Sequence, residues 1–84
     1  MTSQTVTREA LNIHAKPLAS WLKRWDRWMR MVNGEIEWNV RAMPSKNSKH
    51  RAYAYGSQLA RMLNLPHPRA VEDLRAVLAA AQQH

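Results

Sequence analysis

The feature that most constrains this chain is a stripe of large apolar side chains between positions 17 and 32. Drawn as a helix with 3.6 residues per turn, this segment places the stripe within an arc of about 120°, as a helix that packs on a core requires. The stripe consists of Leu18, Trp21, Leu22, Trp25, Trp28, Met29 and Val32. We predict a helix over residues 17–32, with its tryptophans in the core rather than exposed as a surface for stacking bases.

The opposite face of this helix is cationic. It carries Lys23, Arg24, Arg27 and Arg30. A charged outer face is normal for an amphipathic helix, but four cations beside a single acid, Asp26, favour a face that binds an anion. The pair Asn33–Gly34 follows and supplies the C-cap that ends the helix.

A shorter helix precedes this one. Thr7 is a suitable N-cap, and Glu9 lies in the first turn, where the helix dipole favours an acid. Pro17 disfavours the helical conformation at the residue before it but suits the first turn of a new helix. The sequence therefore predicts that the first helix ends by Lys16 and that a turn at residues 15–17 separates the two helices.

The hydrophobic period changes to two after Gly34. Apolar and polar residues alternate over residues 35–42, which is typical of a half-buried strand, and residues 51–55 alternate tyrosine with alanine. Pairing these two segments makes a β-hairpin whose loop, residues 43–50, is polar and cationic. The sequence therefore favours a basic wing in the middle of the chain.

The same segment also fits a helix. A helix from Ser48 to Asn64 would bring apolar residues onto one face. These residues are Ala52, Tyr55, Leu59, Met62 and Leu63. Gly56 favours the hairpin, because a glycine inside a helix costs about 1 kcal/mol, whereas Gly56 followed by Ser57 as N-cap makes a natural junction between a strand and a helix.

Two further helices complete the predicted fold. One covers residues 57–64, a rigid turn follows over residues 65–68, and the last helix covers about residues 68–81. The prediction is a single domain over residues 1–84, of the helix-dominated α+β class, with four helices and a central basic β-hairpin in a winged-helix-like arrangement. A small all-α bundle stays the alternative. Residues 1–6 are expected to be disordered.

The charge of the chain favours an anionic partner. It has 13 Lys and Arg against 6 Asp and Glu, a formal net charge of +7, and no acid between Glu37 and Glu72. Such a charge attracts polyanions and adds sequence-independent affinity through counterion release from phosphates. We predict a DNA-binding protein that contacts double-stranded DNA mainly at phosphates, while RNA, an acidic host protein and a second copy of the chain stay open as partners. The candidate nucleic-acid-binding residues are Lys23, Arg24, Arg27, Arg30, Arg41, Lys46, Lys49 and Arg51.

Residues that could carry catalysis or bind a metal form no recognisable pattern. The chain has no cysteine, and its four histidines show no metal-ligand spacing. Its two glycines cannot form a phosphate-binding loop, and its carboxylates are scattered. We therefore expect a protein that is not an enzyme and that binds neither a metal nor a cofactor. The lack of cysteine, of a signal peptide and of a long apolar run predicts a cytoplasmic protein rather than a membrane protein.

Two sets of segments resemble known small regulators. Residues 7–11 and 18–22, with the turn predicted between them, resemble the helix-turn-helix opening of excisionase-like and AlpA-like winged-helix proteins of phages and mobile elements, and residues 46–62 are similar to the hairpin and short helix that follow there. Residues 25–28 and 44–48 resemble the tryptophan-pair and Pro-Ser segments of phage Q-type late antiterminators. Both resemblances imply a small DNA-binding regulator of transcription or recombination. The alternative is a small phage-encoded inhibitor that binds a host protein, such as a nucleic-acid-handling complex.

Overall fold

In a computed structural model the described part of the chain forms a bundle of three helices. The structure describes residues 6–33 and 43–84, and its helices are α1 (Arg8–Asn33), α2 (Lys46–Met62) and α3 (Val71–Gln83). Each helix packs against the other two, and no strand occurs in these two ranges. The predicted α+β class with a winged-helix-like hairpin is therefore wrong, and the alternative of a small all-α bundle is confirmed for the described part of the chain. None of the described helices combines the length and the apolar character that crossing a membrane requires.

The segment predicted as the return strand of the hairpin is part of a helix. Residues 51–55 lie in α2, which begins at Lys46 and therefore includes much of the predicted loop as well. Ser45 caps this helix, because its side chain accepts a hydrogen bond from the Ser48 backbone N–H at 3.1 Å. The first predicted strand, residues 35–42, lies outside the described residues.

Gly56 marks a contact between two helices rather than a junction between a strand and a helix. It is buried inside α2, where a Cβ atom would overlap Cδ2 of Leu74 in α3 and lie 3.6 Å from Cγ of Pro68. A larger residue at this position would therefore have to displace the Leu74 side chain between α2 and α3. The predicted N-cap, Ser57, is an interior residue of α2, and the separate helix predicted over residues 57–64 is the last part of α2.

α1 runs through Pro17 without the predicted turn. Pro17 cannot donate a hydrogen bond to the Ile13 carbonyl, and its ring crowds that group, which costs a helix about 3 kcal/mol. Burial on both sides of the proline offsets this cost, since each fully buried large apolar side chain contributes about 1.5–3 kcal/mol. The buried residues of α1 are Leu11, Ala15, Leu18, Trp21 and Leu22. The predicted turn at residues 15–17 is wrong because one continuous helix keeps all of these residues in the core.

The start of α1 follows the prediction closely. The Ala10 backbone N–H donates to Oγ1 of Thr7 at 3.1 Å, which confirms Thr7 as the N-cap. Val6 packs against the core. The disorder expected for residues 1–6 stays a prediction. Residues 1–5 lie outside the described part of the chain.

The last helix is joined to the first by Arg8. The Arg8 guanidinium donates to the backbone carbonyls of Ala81 at 2.7 Å and His84 at 2.6 Å. Carbonyls at the end of a helix lack partners within the helix, and Arg8 supplies one for them; the Ala81 carbonyl also accepts a hydrogen bond from the His84 backbone N–H at 3.4 Å. α3 itself, Val71–Gln83, lies close to the helix predicted over residues 68–81.

Candidate nucleic-acid interface

α1 and the first part of α2 border an open groove of about 650 Å³. Three arginines line it, Arg24 and Arg27 from α1 and Arg51 from α2, and all three are exposed to solvent. Its walls also include Trp21, Trp28, Pro44, Ser45, Ser48 and Tyr55. None of the described residues that line it is an aspartate or a glutamate. We call this site the arginine groove.

The helical period places the three arginines beside the core. Arg24 and Arg27 follow the buried Trp21 by three and six residues, so they lie about 60° and 120° to one side of it around α1. In α2, Arg51 directly precedes the buried Ala52. Because Trp21 and Ala52 belong to the same core cluster, the packing of α1 on α2 brings the arginines to the same side of the molecule.

The start of α2 borders the groove and is held in place by Trp21. The Nε1–H of Trp21 donates to Oγ of Ser48 at 3.2 Å, and the Ser48 hydroxyl donates to the Ser45 carbonyl at 2.9 Å. The first turn of α2 contains no acid, so its side chains do not neutralise the partial positive charge of the helix N-terminus. The groove therefore combines three guanidinium groups with the positive end of a helix dipole.

The three tryptophans of α1 contact one another in sequence order, from the buried Trp21 through Trp25 to Trp28 in the wall of the groove. Trp21 stacks on Trp25 with ring centroids 5.3 Å apart, and Trp25 meets Trp28 at 5.2 Å in a tilted arrangement. Only 2% of Trp21 is exposed, whereas Trp25 and Trp28 are half-buried. The prediction that the tryptophans form the core is confirmed for Trp21, while Trp28 contributes an aromatic ring to the wall of the groove.

The rest of the predicted apolar stripe follows the same gradient. Leu18 and Leu22 are buried as predicted, and Met29 is half-buried. The side chain of Val32 lies outside what the structure describes. The exposure of the stripe therefore increases toward the end of α1.

Three of the eight predicted nucleic-acid-binding residues meet in the arginine groove. These are Arg24, Arg27 and Arg51. Lys23 lies instead in a concavity between α1 and α3, whose lining includes Asp26 and Arg75. The predicted cationic face of α1 is thus divided between two sides of the molecule.

The other predicted cations lie outside the groove. Lys46 and Lys49 line a separate concavity on α2, and the Nζ atom of Lys49 is 5.4 Å from the centroid of the Trp25 ring, a cation–π distance. Arg30 is exposed near the end of α1. Arg41 lies outside the described residues. Among the predicted cations with described side chains, only the three arginines give the groove its charge.

The groove also contains three candidate residues that the sequence prediction left out, Trp28, Ser48 and Tyr55. Ser48 lies three residues before the predicted Arg51 and Tyr55 four residues after it, and Trp28 lies four residues after the predicted Arg24. Side chains at these spacings share one face of a helix. The helical alternative for the middle segment contained this signal, whereas the hairpin placed the same residues on a loop and a strand.

Asp26 is paired with an arginine that the sequence prediction did not include. Its carboxylate accepts two hydrogen bonds from the Arg75 guanidinium, one of them from Nη1 at 2.8 Å. These hydrogen bonds are the main reason that the pKa of Asp26 lies below its usual value; partial burial opposes the shift, and the charges of Arg75 and Arg30 add to it. Asp26 therefore joins α1 to α3 and leaves the charge of the arginine groove in place.

We expect the Asp26–Arg75 pair to stabilise the fold only where Asp26 is ionised. Because the pKa of Asp26 is lower in the folded chain, its contribution is complete above the unfolded value of about 3.9 and is lost as the pH falls through the folded pKa. The side chains of Arg75 and Asp26 are 44% and 41% exposed, so Asp26→Asn should lower the free energy of unfolding by only about 0.2–1 kcal/mol at neutral pH. Urea unfolding of both proteins at about pH 6 and about pH 2 measures the difference. A difference of the same size at both values would contradict this explanation.

Comparison of the chain with protein-family models, curated proteins and solved structures finds no match. The resemblance to phage and mobile-element regulators therefore stays a prediction. Two structural features implied by the excisionase-like resemblance are not formed, because residues 15–17 and 46–55 are helical rather than a turn and a hairpin.

Proposed function

We propose that this protein is a small DNA-binding regulator of transcription or recombination, of the type that phages and mobile elements encode, and that the arginine groove is its main contact with DNA phosphates. One observation carries the proposal. Arg24, Arg27 and Arg51 come from two helices and line one groove, whose described lining residues include no acid. The formal net charge of +7 adds a long-range attraction toward the same ligand.

The chemistry of the groove suits a phosphate backbone. Guanidinium groups are planar, always charged and able to donate paired hydrogen bonds to phosphate oxygens. The arginines project from helices that pack on a common core, so binding has to order their side chains but not the backbone that carries them. Contacts to phosphates supply affinity and fix the register of the protein on DNA, but they do not read the base sequence. The proposal therefore assigns no base-specific contact in a duplex.

The exposed face of α1 extends the contact surface beyond the groove. Arg27 lines the groove, and Arg30 is exposed one helical turn further along α1. With 26 residues, α1 is about 39 Å long. A major groove about 12 Å wide admits one helix. Arg30 is thus a further exposed cation of α1 that a bound duplex can contact outside the groove.

Removing charge from the groove should weaken DNA binding far more than removing the same charge elsewhere. The variant Arg24→Gln/Arg51→Gln loses two charged donors, and a hydrogen bond to a charged group contributes about 1.5–3 kcal/mol. We expect the dissociation constant for a fluorescein-labelled duplex to rise about 100-fold or more, measured by fluorescence anisotropy at constant low salt. Both arginines are exposed, so the thermal unfolding of the variant should match that of the original protein.

The matched control is Arg61→Gln/Arg69→Gln. Both residues are exposed, neither lines the groove, and the variant loses the same two charges. We expect less than about a 10-fold rise in the dissociation constant, because only the general attraction is reduced. Equal weakening by the two variants would contradict the groove as the contact. Failure of the original protein to bind any duplex would contradict the proposed function.

The alternative function, inhibition of a host protein that handles nucleic acid, requires a different behaviour. Such an inhibitor would bind one host protein tightly and would not be retained on purified DNA. A pull-down from lysate with and without nuclease separates the two functions. Retention of the same host protein after nuclease treatment, together with no binding to purified duplex, would support the inhibitor and overturn DNA binding.

A further inference from the structure

Aromatic rings share the arginine groove with the guanidinium groups. Trp28 of α1 and Tyr55 of α2 are both half-buried and line the groove from different helices. Each ring has an aromatic neighbour, since Trp28 contacts Trp25 at 5.2 Å between centroids and Tyr55 lies 6.3 Å from the His14 ring. The groove therefore offers partly exposed, supported aromatic surfaces next to three positive charges.

The arginine groove has the size of a small-ligand site. Its volume of about 650 Å³ falls within the range of about 300–1,000 Å³ that is typical of sites for small ligands. In a duplex the faces of the bases are stacked inside the helix, so proteins reach only phosphates and base edges. An unpaired nucleotide can place its phosphate and the face of its base in one concave site at the same time. This combination matches the arginines and the aromatic rings together.

We infer that the arginine groove seats one unpaired nucleotide of the bound DNA, with its phosphate against Arg24, Arg27 and Arg51 and its base against Trp28 and Tyr55. The inference rests on the proposed function and deepens it by naming the form of DNA that the groove selects. Every base has an aromatic face, so stacking of this kind tolerates any sequence. The protein therefore selects DNA with an extruded or unpaired nucleotide rather than a particular base.

Duplexes that differ at a single residue test this inference. Three labelled duplexes are compared by fluorescence anisotropy: one fully paired, one with a bulged thymidine and one with a bulged abasic residue. The two bulged duplexes carry the same number of phosphates, so they differ only in the presence of the base. Stacking of one base on aromatic side chains changes affinity by about 5–150-fold. We expect the thymidine bulge to bind more tightly than the abasic bulge by a factor in this range.

Variants of Trp28 identify the ring that the base contacts. Trp28→Leu keeps an apolar side chain but removes the aromatic face, so it should remove most of the preference for the thymidine bulge, whereas Trp28→Phe should retain it. Tyr53→Leu is the control, since Tyr53 is a half-buried aromatic residue of α2 that does not line the groove. Thermal unfolding establishes that each variant is folded. If Trp28→Leu does not fold, Tyr55→Leu takes its place with the same expected result.

The possible results separate the inference from the proposed function. Equal binding of the thymidine and abasic bulges would overturn the inference, and so would a preference that survives both Trp28→Leu and Tyr55→Leu. In either case the proposed function stands if Arg24→Gln/Arg51→Gln still weakens duplex binding more than its control does. If the original protein binds none of the three duplexes, both the inference and the proposed function are overturned.

Discussion

Raising the salt concentration from about 50 to about 200 mM is expected to weaken the binding of duplex DNA by about 10³–10⁵-fold, if the protein neutralises six to eight phosphates. Each neutralised phosphate releases condensed counterions, and this release becomes less favourable as the salt concentration rises. The arginine groove supplies three of these contacts through Arg24, Arg27 and Arg51. Exposed cations on the same helices, such as Arg30 and Lys46, are available for the others.

Binding titrations at several salt concentrations measure this effect as the slope of log K against log salt. Replacing one groove arginine with glutamine should reduce the slope by about 0.9, because one phosphate contact is lost. Replacing Arg61 should leave the slope nearly unchanged, since it lies outside the groove. A flat salt response by the original protein would contradict binding through phosphates.

The parts of the fold that depend on local sequence could be predicted. The apolar stripe in the second half of α1, the N-cap at Thr7 and the position of α3 all follow from helical spacing and capping chemistry. The continuity of α1 could not be predicted in this way. The rules for Pro17 concern its neighbours in the chain, whereas the burial of Leu11 and Leu18 on either side of it depends on where α2 and α3 pack.

The site could also be predicted only in part, because the sequence pattern shows which face of a helix is cationic but not which other helix packs beside it. The cationic face of α1 was visible from the position of its arginines relative to the apolar stripe. Which of these cations converge is decided by packing, since α2 brings Arg51 to Arg24 and Arg27, while α3 brings Arg75 to Asp26 beside Lys23. The spacing of residues along one helix does not predict these contacts between helices.

Gly56 caused the largest error in the predicted fold, because it favoured a hairpin where the structure has α2. A glycine in the interior of a helix is unfavourable by about 1 kcal/mol relative to alanine, and on that basis the middle segment was predicted to form a hairpin. The structure places this glycine against Leu74, which is completely buried, with Pro68 close by. The helix propensity of glycine can be read from the sequence, but the packing of Leu74 against Gly56 cannot. The prediction therefore included the unfavourable propensity without the contact between helices that offsets it.

The variant Gly56→Val should therefore destabilise the protein even though valine is a better helix former than glycine. Its Cβ would overlap the Leu74 side chain, which has no solvent to move into because it is completely buried. Overpacking of a core costs about 1–3 kcal/mol and sometimes more, whereas the gain in helix propensity is only about 0.5 kcal/mol. We expect a net loss of about 2 kcal/mol. In a domain of this size that lowers the midpoint of thermal unfolding by about 8–16 °C, as circular dichroism can measure.

Ala54→Val is the matched control, because residue 54 is exposed on the same helix two positions earlier. It introduces the same side chain without a contact to α3, so its cost should not exceed the difference in helix propensity, about 0.7 kcal/mol or less. If Gly56→Val were as stable as the original protein while Ala54→Val showed this small cost, Leu74 would have room to move aside. The close contact of α2 with α3 at Gly56 would then not be the reason that a glycine lies in the middle of a helix.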